Sequence, residues 1–173
     1  RDQAGELQFL APDGQSGVKV DVNQLAFQRV GAYPGWNQVR EQILGVLRSY
    51  IEIAGPESFE AIRLHFVNRI ATEASQKNVD ISRTLTVWPR VPPALATTFG
   101  KFLLKIDLIE TKLRGHLVLT SGIAETISND KEVGLVLDLD FMSSDPPLPL
   151  DIADGWLDGA HHRICEAFEL SIT

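Results

Sequence analysis

The stretch LDGAHHRICEAFELSIT, residues 157–173, sets His161 and His162 beside Cys165, the only cysteine of the chain. On a helix, residues four apart face the same way, so His161 with Cys165, or His162 with Glu166, can each present two groups to one metal ion. Two ligands are half a zinc site. The His-Glu-x-x-His spacing of a catalytic zinc helix is missing, because the run reads His161-His162-Arg163-Ile164-Cys165 and places a cation among the donors. Helical periodicity favours another reading. Leu157, Ala160, Ile164, Ala167, Phe168 and Ile172 form an apolar stripe with His161 at its edge, and Asp158, His162, Glu166 and Glu169 share the wet side. A docking helix is expected here, with no metal ligand and no catalytic residue assigned.

A second pattern is VGLVLDLDF, residues 133–141, where Asp138 and Asp140 end an apolar run. Asp-x-Asp after a hydrophobic strand resembles the opening of phosphoaspartyl hydrolases of the haloacid dehalogenase type, in which the first carboxylate is the nucleophile and magnesium bridges to phosphate. The residues that follow, FMSSDPPLP, do not continue such an α/β domain. Strand alternation supplies the simpler account: Leu135, Leu137, Leu139 and Phe141 face a core, while Val136, Asp138 and Asp140 face out.

A third constellation is spread over several strands. Alternation turns Arg63, His65 and Arg69 outward on one, Lys101, Lys105 and Asp107 on another, and Arg114 and His116 on a third. Placed side by side with Asp138 and Asp140, these groups can form ordinary cross-strand pairs of roughly 0.2 to 1 kcal/mol each. The functional alternative is an anion site for a nucleotide or phosphate, built from Arg63, His65, Arg69, Arg114 and His116. Phosphate-cradling glycine loops, nucleophile elbows, paired CxxC motifs and EF-hand loops are absent, and no cofactor is expected.

The elements that must carry these residues follow from periodicity. LQFLAPDGQSGVKVDVNQLAFQRVG reads as short strands broken by turns at Pro12, Asp13, Gly14, Gly17 and Asn23. YPGWNQVREQILGVLRSYIEIAGP places Trp36, Val39, Ile43, Val46, Leu47, Tyr50 and Ile51 at helical spacing before the stop signals Gly55 and Pro56. FEAIRLHFVNRIAT alternates as a half-buried strand. EASQKNVD is expected as a loop, ISRTLTVWP as a strand and PRVPPALAT as a proline-stiffened connector. Strands are expected again in TFGKFLLKIDLIE, KLRGHLVLTSG and EVGLVLDLDFM, and Leu148, Leu150 and Ile152 keep SSDPPLPLD from being a free hinge.

The expected fold class is α+β: an antiparallel twisted sheet of about seven or eight strands with two long amphipathic helices packed on one face. A meander followed by a helix occurs twice, each with a Gly-Trp pair (Gly35-Trp36 and Gly155-Trp156), which suggests a duplicated unit. Residues 1–173 are read as a single domain, since 173 residues with 44% hydrophobic and 23% charged content fit one ordinary core. A net charge of -7 argues against nucleic acid as a partner. One cysteine makes no internal disulfide, so a reducing, cytoplasmic setting is the default. No apolar run is long enough to span a membrane.

Several segments together carry a resemblance: YPGW before a helix, RLHFVNRI on the next strand, WPRVPPAL, GLVLDLDF and WLDGAHHRICEAFELSIT. In that order they resemble a sporadically distributed family of bacterial proteins of unknown function, over nearly the whole chain from Leu7. The resemblance implies that this chain, which starts at Arg1, is the body of a somewhat longer protein. It also implies an accessory gene product, with a link to phage defence. It assigns no residue roles. The similar segments include Tyr33, Pro34, Gly35, Trp36, Asn68, Arg69, Pro89 and His161. Structural reasons are available for several: the Tyr33–Trp36 turn would deliver Trp36 to the core, and Asn68, on an apolar strand face, would tie its strand to a loop. The function expected from these readings is a non-catalytic binding module with a protein partner or a homodimer; the alternative is a sensor or enzyme for a small anionic ligand.

Overall fold

The computed structural model describes residues 5–73, 81–92, 94–95, 101–123, 132–144 and 147–173. They fall into two compact units, Arg1–Glu57 and Ser58–Thr173.

In the first unit, β1 (Leu7–Leu10), β2 (Ser16–Val20) and β3 (Leu25–Arg29) form an antiparallel meander. Its turns use the chemistry of their residues. The Asp13 carboxylate accepts the Gln15 N–H at 2.9 Å, the Asp21 carboxylate accepts the Asn23 N–H at 2.7 Å, and Gly14 takes a left-handed φ of 66°. The register aligns Leu7, Val20 and Leu25, then Phe9, Val18 and Phe27, along one apolar face. Helix α1 (Trp36–Ala54) follows Gly35 and ends at Gly55, a left-handed cap whose N–H donates to the Ile51 carbonyl at 3.0 Å. Only Val39 of this helix is buried, and Trp36, which the turn was expected to deliver to a core, is half-buried.

The second unit contains β4 (Arg63–Glu73), β5 (Leu103–Glu110), β6 (Gly115–Ile123), β7 (Glu132–Ser143) and α2 (Ala153–Ser171). The sheet is antiparallel in the order β4-β7-β6-β5, so a β5-β6-β7 meander receives β4 on its far side. Leu117 and Leu119 of β6 and Leu135, Leu137, Leu139 and Phe141 of β7 make the inner face almost wholly buried. Helix α2 covers that face with Trp156, Leu157, Ala160, Ile164 and Ala167, the Trp156 ring meeting Phe141 edge-on at 5.6 Å between centroids. Phe59 and Leu148 exchange backbone hydrogen bonds of 2.9 and 2.8 Å, which anchors the proline-rich linker.

Two expectations are corrected. Among the described residues the strands number seven, but they form sheets of three and four rather than one sheet. Alternation dictates which face a strand buries and is silent about its neighbour; each meander satisfies its own backbone locally. The segment ISRTLTVWP is a 3-10 turn at Ile81–Arg83 with one bridge, Leu85 to Ile172, not a strand. Ile81 and Leu85 are four apart, the Leu85 N–H donates to the Ile81 carbonyl at 2.8 Å, and both side chains enter a cluster with Leu135. Residues 74–80 of the expected loop 73–80 and part of the connector 89–97 lie outside the described residues, while Glu73 ends β4. Among the described residues no helix is long and apolar enough to cross a membrane.

Candidate functional site: the outer sheet face

On the face opposite α2, alternation and register set rows of outward side chains. Arg63, Met142, His116 and Ile109 make one row; His65, Asp140, Val118 and Asp107 the next; then Val67, Asp138, Thr120 and Lys105. The ion pairs run diagonally between rows, as cross-strand neighbours offset by two residues can. Arg63 donates from Nε and Nη2 to the two carboxylate oxygens of Asp140, both at 2.6 Å. His65 Nε2 lies 2.8 Å from Asp138 Oδ1, and His116 Nδ1 lies 3.1 Å from Asp107 Oδ1. The hydrogen bond to Asp140 raises the Arg63 pKa further above its already high value, so the guanidinium is charged at any working pH. Both partners reach solvent, and such a pair contributes about 0.2 to 1 kcal/mol.

The five residues read as an anion site are dispersed. Arg63 and His65 are neighbours on the outward side of β4, and His116 shares a row with Arg63 two strands away. Arg69 is six residues along β4 from Arg63, about 20 Å at the usual strand rise. It is exposed and pairs with no carboxylate among the described residues. Arg114 sits in the β5–β6 turn with a φ of 47°, beside a shallow depression lined by Lys112, Asp151 and Trp156. Asp138 and Asp140, the Asp-x-Asp of the phosphohydrolase pattern, are engaged by His65 and Arg63.

On α2, His161 and Cys165 do meet, with Sγ 3.4 Å from Nε2. Burial lowers the His161 pKa and raises that of the Cys165 thiol. Both shifts favour a neutral pair, the opposite of the imidazolium–thiolate couple of a cysteine nucleophile. His161 also packs against the Phe66 ring, 5.9 Å between centroids. Glu166, the proposed partner of His162, instead accepts from Arg163 at 2.7 Å. Among the described residues no three His, Cys, Asp or Glu side chains gather as a metal would require.

Two contacts, of Arg163 and Ser121, escaped the sequence, and a third, of Asn68, was expected with a different partner. Arg163 is a clamp: its Nε donates to Glu110 of β5 at 3.1 Å while Nη1 holds Glu166, tying α2 to the sheet. Asn68 ties β4 to the adjacent strand, its amide donating to the Leu137 carbonyl at 3.1 Å, rather than to a loop. Ser121, wholly buried on β6, donates to the Val87 carbonyl at 2.9 Å. Each contact joins residues far apart in the chain, and only the polar interruption of an apolar pattern at Asn68 and Ser121 hinted that a partner was needed. No family model, curated protein or solved structure matches this chain.

Proposed function

We propose that this chain is a non-catalytic binding module that takes a protein partner on the outer face and open edge of its four-stranded sheet. The observation that carries this reading is the internal neutralisation of that face: Arg63, His65 and His116 each face a carboxylate of an adjacent strand. Groups engaged in this way have their hydrogen-bonding atoms taken up and offer little to an added anion. The same outer face carries exposed apolar groups, Val67, Leu103, Ile109 and Met142. Satisfied polar pairs alternating with apolar groups resemble the ordinary composition of a protein-binding surface. The sporadic bacterial family that the sequence resembles extends the proposal to an accessory gene product.

The second reading, a sensor or enzyme for an anionic small molecule, is favoured by one observation: Arg69 is an exposed cation without a carboxylate partner among the described residues. Melting in the presence of inorganic phosphate, nucleotides and phosphosugars separates the two. A ligand present at about 100 times its dissociation constant adds about 2.7 kcal/mol. No shift is expected. A stabilisation by one anion that disappears in both Arg63→Ala and Arg69→Ala would overturn the module and establish the anion site.

A further inference from the structure

Strand β5 contains Leu103-Leu104-Lys105-Ile106-Asp107-Leu108-Ile109, a run whose chemistry mirrors itself about Ile106 except that the cation is answered by an anion. Among the described residues it is an edge strand, the last in the order β4-β7-β6-β5. The Ile123 N–H donates to the Phe102 carbonyl at 3.3 Å, and antiparallel alternation then points the backbone of residues 104, 106 and 108 at β6. The peptide groups of Leu103, Lys105, Asp107 and Ile109 therefore point to the open side. Their side chains share the outer face, and Leu103 and Ile109 are each 77% exposed, a high value for aliphatic residues in a strand.

We propose that β5 is where two copies of this chain join, antiparallel about a twofold axis at Ile106; the proposal rests on the binding-module reading and names its partner as a second copy. In this register Lys105 stands opposite Asp107 of the second copy and Asp107 opposite its Lys105, while Leu103 meets Ile109. These are all residues whose peptide groups point outward, so each facing pair exchanges two backbone hydrogen bonds. On the inner face Leu104 meets Leu108 and Ile106 meets Ile106, which covers Leu108, now 40% exposed. Neighbouring registers lose the match. A shift one way sets Lys105 against Lys105, and a shift the other way sets Asp107 against Asp107. The opposite edge, β4, lacks this symmetry, because Arg63 and Arg69 mirror each other about Phe66 with the same charge. Pairing at β5 would fuse two sheets of four strands into one of eight and keep each helix α2 on the same side.

Sedimentation equilibrium of the full chain at concentrations up to about 100 µM, which covers micromolar association, tests the proposal. A dimer is expected. Lys105→Asp alone, or Asp107→Lys alone, turns both charge contacts repulsive and should weaken association about tenfold or more, with circular dichroism unchanged. An equimolar mixture of the two single variants, which sets acid against base at both contacts, should dimerise again. So should the double variant K105D/D107K. Asp107→Pro gives an independent check, since it removes an outward N–H and leaves the β6 ladder intact; it should be monomeric. A monomeric parent chain overturns the proposal, as does a dimer that neither single variant weakens. Neither result touches the binding-module reading, which fails only if an anion stabilises the protein in the melting experiment.

Discussion

Helices α1 and α2 are both 19 residues long, yet α1 buries one residue, Val39, and α2 buries seven. The difference does not lie in apolar content. The stripe of α1, with Ile43, Val46, Leu47, Tyr50 and Ile51, is richer in large aliphatic groups than that of α2, which relies on Ala153, Ala160 and Ala167 beside Trp156, Leu157 and Ile164. Small residues let α2 sit close to the sheet. At Gly159 an added Cβ would stand only 2.7 Å from Leu113 Cδ2. An amphipathic pattern thus states what a helix is able to bury, and the fit of the opposing surface determines how much it does bury.

Core truncation is the strongest way to break this contrast. Phe141→Ala, at a wholly buried site under Trp156, should cost about 3–5 kcal/mol in urea denaturation. Val39→Ala should cost about 1.5 kcal/mol, the value of two buried carbon groups. Equal losses would mean that the two helices are anchored alike. Glycine replacements sharpen the comparison by sign. A Cβ at Gly115 would meet the Met142 carbonyl and Phe141 Cε1, each at 2.6 Å, so Gly115→Ala should destabilise by about 1–3 kcal/mol. At Gly45, inside α1, a Cβ meets nothing within 4 Å, and Gly45→Ala should stabilise by about 0.5–1 kcal/mol. A destabilising Gly45→Ala would show α1 to be closely packed after all.

Weaker effects test the outer face and the edge of α2. Arg63→Ala should lose no more than about 1 kcal/mol, and the loss should shrink in high salt, because the Arg63–Asp140 pair is open to solvent. The smallest effect is a pH dependence specific to α2. His161 has its pKa depressed by burial, with His162 lowering it further and Asp158 opposing. The unfolded chain therefore binds a proton first as pH falls below about 6.5, and stability declines from there until the folded-state pKa is passed. His161→Gln should flatten that decline in melting curves recorded from pH 7.5 to 5. An unchanged decline would show that His161 does not cause it.

Much of this fold was legible in period alone. The stripe of α2, the helix stop at Gly55 and the alternation of β4 and β7 all emerged from residues within a turn or two of each other. The candidate face was legible as a set of outward residues but not as a set of pairs. Arg63 and Asp140 are 77 positions apart, and His65 and Asp138 are 73 apart. Sequence spacing contains nothing about which strand lies beside which. The 3-10 turn at Ile81–Arg83 was misread for a related reason: Thr, Val and Trp favour strands, but the burial of Leu85 against Leu135 overrode that preference.

By itself, the sequence determined the type of most elements, the side each one turns to the core, and the self-complementary order of residues along β5. Those are consequences of backbone geometry and side-chain polarity acting over short range. Only the tertiary structure decided that the strands divide into sheets of three and four, that β4 pairs with β7, and that β5 is left at an edge. Strand pairing is a competition among distant segments for the same backbone hydrogen bonds, and it is resolved by how well whole surfaces pack.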